Sequence, residues 1–313
     1  MSETTRTPLL EVRDVKKTFV VRPMLGRSKE VHALKDISFT IEAGKALALV
    51  GESGSGKSTC GRAIARMFSI DDGRILFKGK DVAAARNPAE RRSNARHIQM
   101  VFQDPFASLN PTHTIRHHLL RPLRLHKRVE AGQSEDEALR QVLADVELDV
   151  DNTLDKYPHQ LSGGQRQRVN LARALAVGAE LIIADEPTSM LDVSIRRSVL
   201  QLMKRLKEER GIAFLYITHD LATARYLAED TAAMFAGRIV EFGPSEEVVR
   251  DPLHPYTRLL LSSVSDPHVK INPSIEDAKA FSDYADGVRA QTEMSDAPIE
   301  TIRPGRQVRP VAV

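Results

Sequence analysis

Short apolar runs alternate along this chain with stretches whose apolar residues recur every three or four positions, and the two patterns predict different elements. KALALV (Lys45 to Val50), LIIAD (Leu181 to Asp185) and IAFLYI (Ile212 to Ile217) lack polar alternation. Such runs are expected of central strands in a parallel sheet covered on both faces. Residues 9–21 (LLEVRDVKKTFVV) and 37–42 (ISFTIE) mix apolar and polar positions, and RPMLGRSKE between them reads as a loop or hairpin tip. That mixture predicts strands of a half-exposed sheet. Helical spacing occupies 57–68, 135–147 and 194–209, so strands and helices alternate and the fold class is α/β. Residues 106–160 are mostly helical in pattern and are expected to form an inserted subdomain. From Ser265 onward the chain turns polar and proline-punctuated, which predicts a weakly packed, partly disordered tail over 265–313 with only a faint helical signal around 274–291.

Composition narrows the class. The 313 residues, 42% apolar and 28% charged, suit a soluble protein of one large or two modest domains. No apolar run approaches the roughly 18 residues that span a bilayer, and MSETTRTPLL lacks the layout of a secretory signal. A cytosolic protein that meets membranes only through a partner is therefore expected. The single cysteine, Cys60, excludes an internal disulfide and any Cys-ligated zinc or iron–sulfur site, and is read as a small buried side chain. A net charge of +3 is too small to indicate a nucleic-acid partner. The local charge says more. HTIRHHLLRPLRLHKR, His113 to Arg128, is basic and histidine-rich; His113 and His117 have the i, i+4 spacing of a metal pair but no carboxylate or thiolate close by. A solvated or partner-facing helical face, including Arg121 and Arg124, is the expectation.

The chemistry begins at GESGSGKST, which matches G-x-x-x-x-G-K-[ST] between a predicted strand and a predicted helix. Gly51, Glu52, Ser53, Gly54, Ser55, Gly56 and Thr59 belong to a loop whose backbone N–H groups can approach phosphate oxygens. Lys57 would reach the terminal phosphates and Ser58 would ligate magnesium. LIIADEP supplies two adjacent acids at the end of a buried strand: Asp185 to hold the metal ion, Glu186 to orient or deprotonate an attacking water. His219, just after a strand, can contact the terminal phosphate. A second glycine pair lies in LSGGQRQR, Leu161 to Arg168. Ser162 there suits an N-cap, and the helix start that follows also suits an anion.

Taken together, GESGSGKST, Gln103 in MVFQDP, LSGGQ at 161–165, LIIADEP, SMLD at 189–192 and the THD containing His219 resemble the ATP-binding subunits of ABC transporters, over about Leu9 to Val264. The resemblance implies a P-loop NTPase core with a mixed sheet, an antiparallel β subdomain and the helical insert. It implies ATP and Mg²⁺ as ligands. It also implies that two ATPase subunits close head to tail, so that Ser162, Gly163, Gly164 and Gln165 of one contact the nucleotide held by the other while Asp192 couples the sites. Phe19 falls where the family stacks an aromatic on adenine, with Phe where Tyr is common, and Gln103 where it touches the metal or the water. Met190 replaces a usual alanine at what is read as a packing position.

Within that family the chain is most similar to oligopeptide/dipeptide importers, on VVRPMLGRSKEVHALKDIS, FQDPFASLNPTHTI and GRIVEFGPSEEVVRDPLHPYTRLLLSSV. Importers of that type also carry oligosaccharides or nickel. The resemblance implies two membrane permease subunits, a second homologous ATPase or a homodimer, an extracytoplasmic solute-binding protein, and a position on the cytoplasmic face of the membrane. Some relatives carry a C-terminal cysteine cluster; no cysteine follows Cys60 here, so no cluster is expected. An ABC exporter ATPase, or a non-transport ABC ATPase, is the alternative. The chromosome-maintenance relatives place a long coiled coil or zinc insertions between the two glycine motifs, and here only about a hundred residues without heptads separate them.

Overall fold

The computed structural model describes residues 7–22, 28–82, 94–105, 108–262 and 275–311. Two sheets organise it. Strands β1 (Leu10–Val21), β2 (Lys29–Ile41), β4 (Asp72–Phe77) and β5 (Lys80–Asp81) form an antiparallel sheet in the order β2-β1-β4-β5. The eight-stranded sheet adds β3 (Ala46–Val50), β6 (Ile98–Val101), β7 (Leu181–Asp185), β8 (Ala213–Thr218), β9 (Asp230–Phe235), β10 (Arg238–Pro244), β11 (Glu300–Arg303) and β12 (Arg306–Val308), in the order β11-β12-β10-β9-β3-β8-β7-β6. Pairing is parallel from β9 through β3, β8 and β7 to β6, and antiparallel from β9 outward to β11. The sheet is thus mixed.

The unalternating apolar runs have a direct cause. Successive side chains of a strand point to opposite faces, and here both faces are covered. Leu47 and Leu49 enter a core shared with the antiparallel sheet and helix α1 (Lys57–Ile64), whereas Ala46, Ala48 and Val50 enter a second core against helices on the other face. Leu181 and Ile183 divide from Ile182 and Ala184 in the same way, as do Leu215 and Ile217 from Phe214 and Tyr216.

The insert carries α2 (Ile115–Leu125) and α3 (Glu135–Asp145), which pack with α4 (Gly163–Val177). Thr114 caps α2, and Ser134 with Glu137 forms a capping box on α3. Next come α5 (Val193–Arg210), α6 (Leu221–Leu227), α7 (Ser245–Arg250), α8 (Pro255–Ser262) and α9 (Ile275–Met294). Residues 106–107 of the expected insert lie outside the described residues.

Several boundaries move from those the pattern predicts. The helix expected to 68 ends at Ile64, because Arg66 turns into the left-handed region at φ 57°. That expected to 147 stops at Asp145, with Glu147 at φ 55°. Lys29 and Glu30, assigned to a loop, begin β2; residues 23–27 of that loop lie outside the described residues.

The weakly packed tail is corrected over 275–311. α9 lays Ala285 and Val288 into the core, and β11 and β12 extend the main sheet. Arg306, 1% exposed, pairs with fully buried Glu241, and Arg309 pairs with Asp36 at 3.1 Å. A polar segment docks here because its guanidinium groups find buried acceptors. The stretch 265–274 lies outside the described residues.

Candidate functional site

The phosphate loop leaves β3 at Val50 and enters α1 at Lys57, and two of its glycines are imposed by close approach. A Cβ at Gly51 would collide with the Met234 carbonyl, and one at Gly56, at φ 104°, would come within 2.5 Å of the Ala33 carbonyl. The loop is wedged between β9 and β2. Lys57 is buried, and its amine donates to the carbonyls of Gly51 at 2.8 Å and Glu52 at 2.7 Å. Burial lowers its pKa, against the opposing pull of Glu186, Asp185 and Glu52.

The acids at the end of β7 diverge. Asp185 continues the strand, is 4% exposed, and accepts from the Ser58 hydroxyl at 2.8 Å. Burial raises its carboxyl pKa, with the Ser58 bond pulling the other way. Glu186 leaves the strand at φ 47°, its N–H donating to the Ile217 carbonyl at 2.9 Å. That turn sends its carboxylate to His219, whose Nδ1 lies 3.2 Å from Glu186 Oε1. The parallel pairing of β7 with β8 makes the meeting possible, because it brings the ends of both strands to one edge.

Gln103 follows β6 and donates through Nε2 to Ser189 Oγ at 3.3 Å, and Ser189 donates to the Glu186 carbonyl at 3.1 Å. Ser189 lies in the SMLD motif, whose sequence alone assigns it no contact with Gln103 or Glu186. The cleft, of about 920 Å³, is lined by Phe19, by Gln103, Glu186 and His219, and by the phosphate loop from Ser53 to Thr59 with the exception of Ser55. Phe19 forms one wall, edge-on to Phe68 at 5.3 Å.

Ser58, Asp185 and Gln103 offer a hydroxyl, a carboxylate and an amide oxygen, the hard donors that a magnesium ion prefers, and the first two already converge. Cys60 is buried, with its thiol pushed up to about 12 by burial.

The second glycine motif does not face this cleft. None of Ser162, Gly163, Gly164, Gln165 or Asp192 is among the residues that line it. The N-cap reading of Ser162 is realised: its hydroxyl accepts from Gln165 N–H at 3.2 Å and Gln165 Oε1 accepts from Ser162 N–H at 2.9 Å. Gly164 has a packing reason as well, since a Cβ there would lie 2.5 Å from Ile195 Cγ2. Asp192 is exposed ahead of α5 and makes no side-chain cap bond. Met190, read as a packing position, is 61% exposed on this chain. His113 and His117 stack ring on ring at 4.0 Å, Arg124 forks onto Glu135 with two bonds of 2.6 Å, and Arg121 is exposed.

Comparison with known proteins identifies the family. Residues 34–189 match the family described as ABC transporter, and residues 240–285 match the oligopeptide/dipeptide transporter C-terminal region. The chain is 44% identical to the oligopeptide transport ATP-binding protein AppF of Bacillus subtilis (strain 168) over 266 residues, covering 84% of this chain and 80% of that protein. It is 39% identical to OppF of the same organism over 300 residues, covering 96% and 95%. Among solved structures it is similar to the dimeric, post-hydrolysis cassette MJ0796 bound to ADP and Pi, with TM-score 0.64 and 29% identity, covering 75% of this chain and 98% of that one. It is also similar to cbiO1 from Clostridium perfringens, part of the transporter complex cbiONQ, with TM-score 0.66 and 27% identity, covering 78% and 92%.

Proposed function

The chain belongs to the ATP-binding subunits of ABC transporters, and from that premise we propose that it hydrolyses ATP to drive import of oligopeptides or dipeptides, with residues 9–264 as the cassette and 265–313 as its appended tail. The observation that carries the solute class is the match of residues 240–285 to the C-terminal region of oligopeptide/dipeptide transporters. The identities to AppF and OppF support it.

Catalysis rests on positioning and electrostatics around the phosphoryl group. The loop N–H groups from Gly51 to Thr59 cradle the phosphates. Lys57 exchanges its loop carbonyls for terminal phosphate oxygens, and Phe19 stacks on adenine. Ser58, Asp185 and Gln103 would hold Mg²⁺, which would supply neutralisation of phosphate charge. Glu186 takes the proton of the attacking water and His219, held by Glu186, contacts the terminal phosphate. Ser162, Gly163, Gly164 and Gln165 cover the nucleotide of a second subunit and Asp192 couples the pair. Their position off this chain's own cleft supports that role.

Closure is a population shift toward the dimer in which both sets of contacts exist. It would move two permease subunits. No described helix is long and apolar enough to cross a membrane, so attachment at the cytoplasmic face runs through those permeases, and an extracytoplasmic binding protein delivers the solute. Arg121, on the outward face of α2, is our candidate for the permease contact.

The test is gentle purification of the tagged chain from solubilised membranes, with ATPase assays of Lys57→Ala and Glu186→Gln. Two permeases, a second ATPase and a solute-binding protein are expected to co-purify. Glu186→Gln is expected to retain ATP with turnover reduced by about 10²-fold or more. Recovery with nucleic acid or ribosomes, or normal turnover in Lys57→Ala, refutes the reading.

A further inference from the structure

The phosphate loop is held from outside the cassette motifs. Glu52, its second residue, is gripped twice by the C-terminal region. Its backbone N–H donates to the hydroxyl of Tyr256 in α8 at 2.9 Å, a ring buried against Phe235 at 4.6 Å between centroids. Its carboxylate receives a fork from Arg289 in α9, with Nη2 at 2.7 Å from Oε1 and Nε at 3.2 Å from both oxygens. One turn further along α9, Glu293 reaches the rim of the nucleotide cleft itself.

The position of α9 is not incidental. Ala285, Val288 and Thr292 turn inward at helical spacing and are buried. The chain beyond the helix is fastened too: Arg238 donates to the Ser295 carbonyl at 2.9 Å, and Arg306 is bonded to Glu241. Arg289 is therefore presented to Glu52 by a docked helix rather than by a free chain end.

The charges explain why such a contact matters. A carboxylate on a loop built to receive a polyphosphate opposes its ligand, and a bidentate guanidinium neutralises it while fixing the loop. Resting on the ATPase reading above, we propose that the C-terminal helix α9 is a working part of the nucleotide site, with Arg289 a positioning residue that acts on ATP affinity through Glu52. The segment after the cassette then sets how tightly this subunit holds nucleotide.

The experiment uses the full chain and TNP-ATP as the probe, with melting temperature and the KM and kcat of ATP hydrolysis measured alongside. Arg289→Glu is expected to weaken TNP-ATP binding and raise KM by about tenfold, with kcat nearly unchanged. The loss should shrink at high salt, because it is electrostatic. Arg289→Lys is expected to retain most of the affinity, and the exchange Arg289→Glu with Glu52→Arg to recover it. An Arg289→Glu protein that melts earlier yet binds TNP-ATP as tightly as the wild type would make α9 a structural strap and overturn the proposal. Equal loss in Arg289→Glu and the charge-swapped pair would do the same. A wild-type chain that binds no TNP-ATP at all instead refutes the ATPase reading.

Discussion

The Ser58 hydroxyl donates to Asp185 Oδ1 at 2.8 Å across 127 positions of sequence. This bond joins the start of α1 to the end of β7 and brings a hydroxyl and a carboxylate to one point, as a divalent cation requires. The Asp185 carboxyl titrates above the usual carboxylate range because it is buried. Its ionised form therefore costs stability above the folded-state pKa, and that cost fades as pH falls through it. Asp185→Asn is expected to raise the melting temperature of the metal-free protein while lowering magnesium-dependent hydrolysis by about 10²-fold or more. Wild-type hydrolysis in this variant would remove Asp185 from the site.

Gly164 tests whether the second glycine motif also carries packing. An added Cβ meets Ile195 Cγ2 at 2.5 Å, where α4 lies against α5. Gly164→Ala should cost about 1–3 kcal/mol by overpacking. Adding Ile195→Ala, which removes the obstructing methyl, should recover part of that in urea denaturation. A neutral single mutant would show that the two helices separate freely.

Arg306 and Glu241 form a buried ion pair in which Glu241 also accepts from the N–H groups of Leu253 at 2.9 Å and His254 at 3.0 Å. Arg306→Ala leaves that carboxylate buried without its cation. The expected loss is about 3 kcal/mol in chemical denaturation. An unchanged midpoint would mean that the terminal strands contribute nothing to the fold.

His254 gives the fold a pH dependence. It is 1% exposed, its Nδ1 accepts from Tyr256 N–H at 3.0 Å, and burial lowers its pKa to about 4. The unfolded chain takes up this proton near pH 6.5 and the folded chain only near 4. Stability contributed by the neutral ring is thus fully present above about pH 6.5 and is lost as pH falls toward 4, by on the order of 3 kcal/mol. His254→Asn should flatten that slope in melts recorded across the interval, and an unchanged slope would assign it to other groups.

Much of the candidate site is legible from sequence because its residues sit at element ends that local pattern marks. Lys57 and Ser58 open a helix after a strand, and Asp185 and Glu186 close an apolar run. Ser189 carries no local signature of its place, because it bridges Gln103 and the Glu186 carbonyl across the fold. Met190 is an apolar side chain whose loop stands at the surface of this chain, so whatever it packs against lies outside the chain's own core.

What the sequence by itself determined is the set of local identities: the phosphate loop, the paired acids, the second glycine motif, and strands apolar on both sides. These follow from chain geometry over a few residues, which side-chain period and turn chemistry express directly. Only the tertiary structure decided which of them meet. Strand order β3-β8-β7-β6 gathers Lys57, His219, Asp185, Glu186 and Gln103 at one edge, while Ser162 to Gln165 stay off that cleft. The tail shows the limit most plainly, because its composition predicts loose chain, yet Arg289 lies on Glu52 across 237 positions and Arg306 is buried on Glu241. Burial of a charge depends on an acceptor supplied from far away in sequence, and no local pattern records that partner.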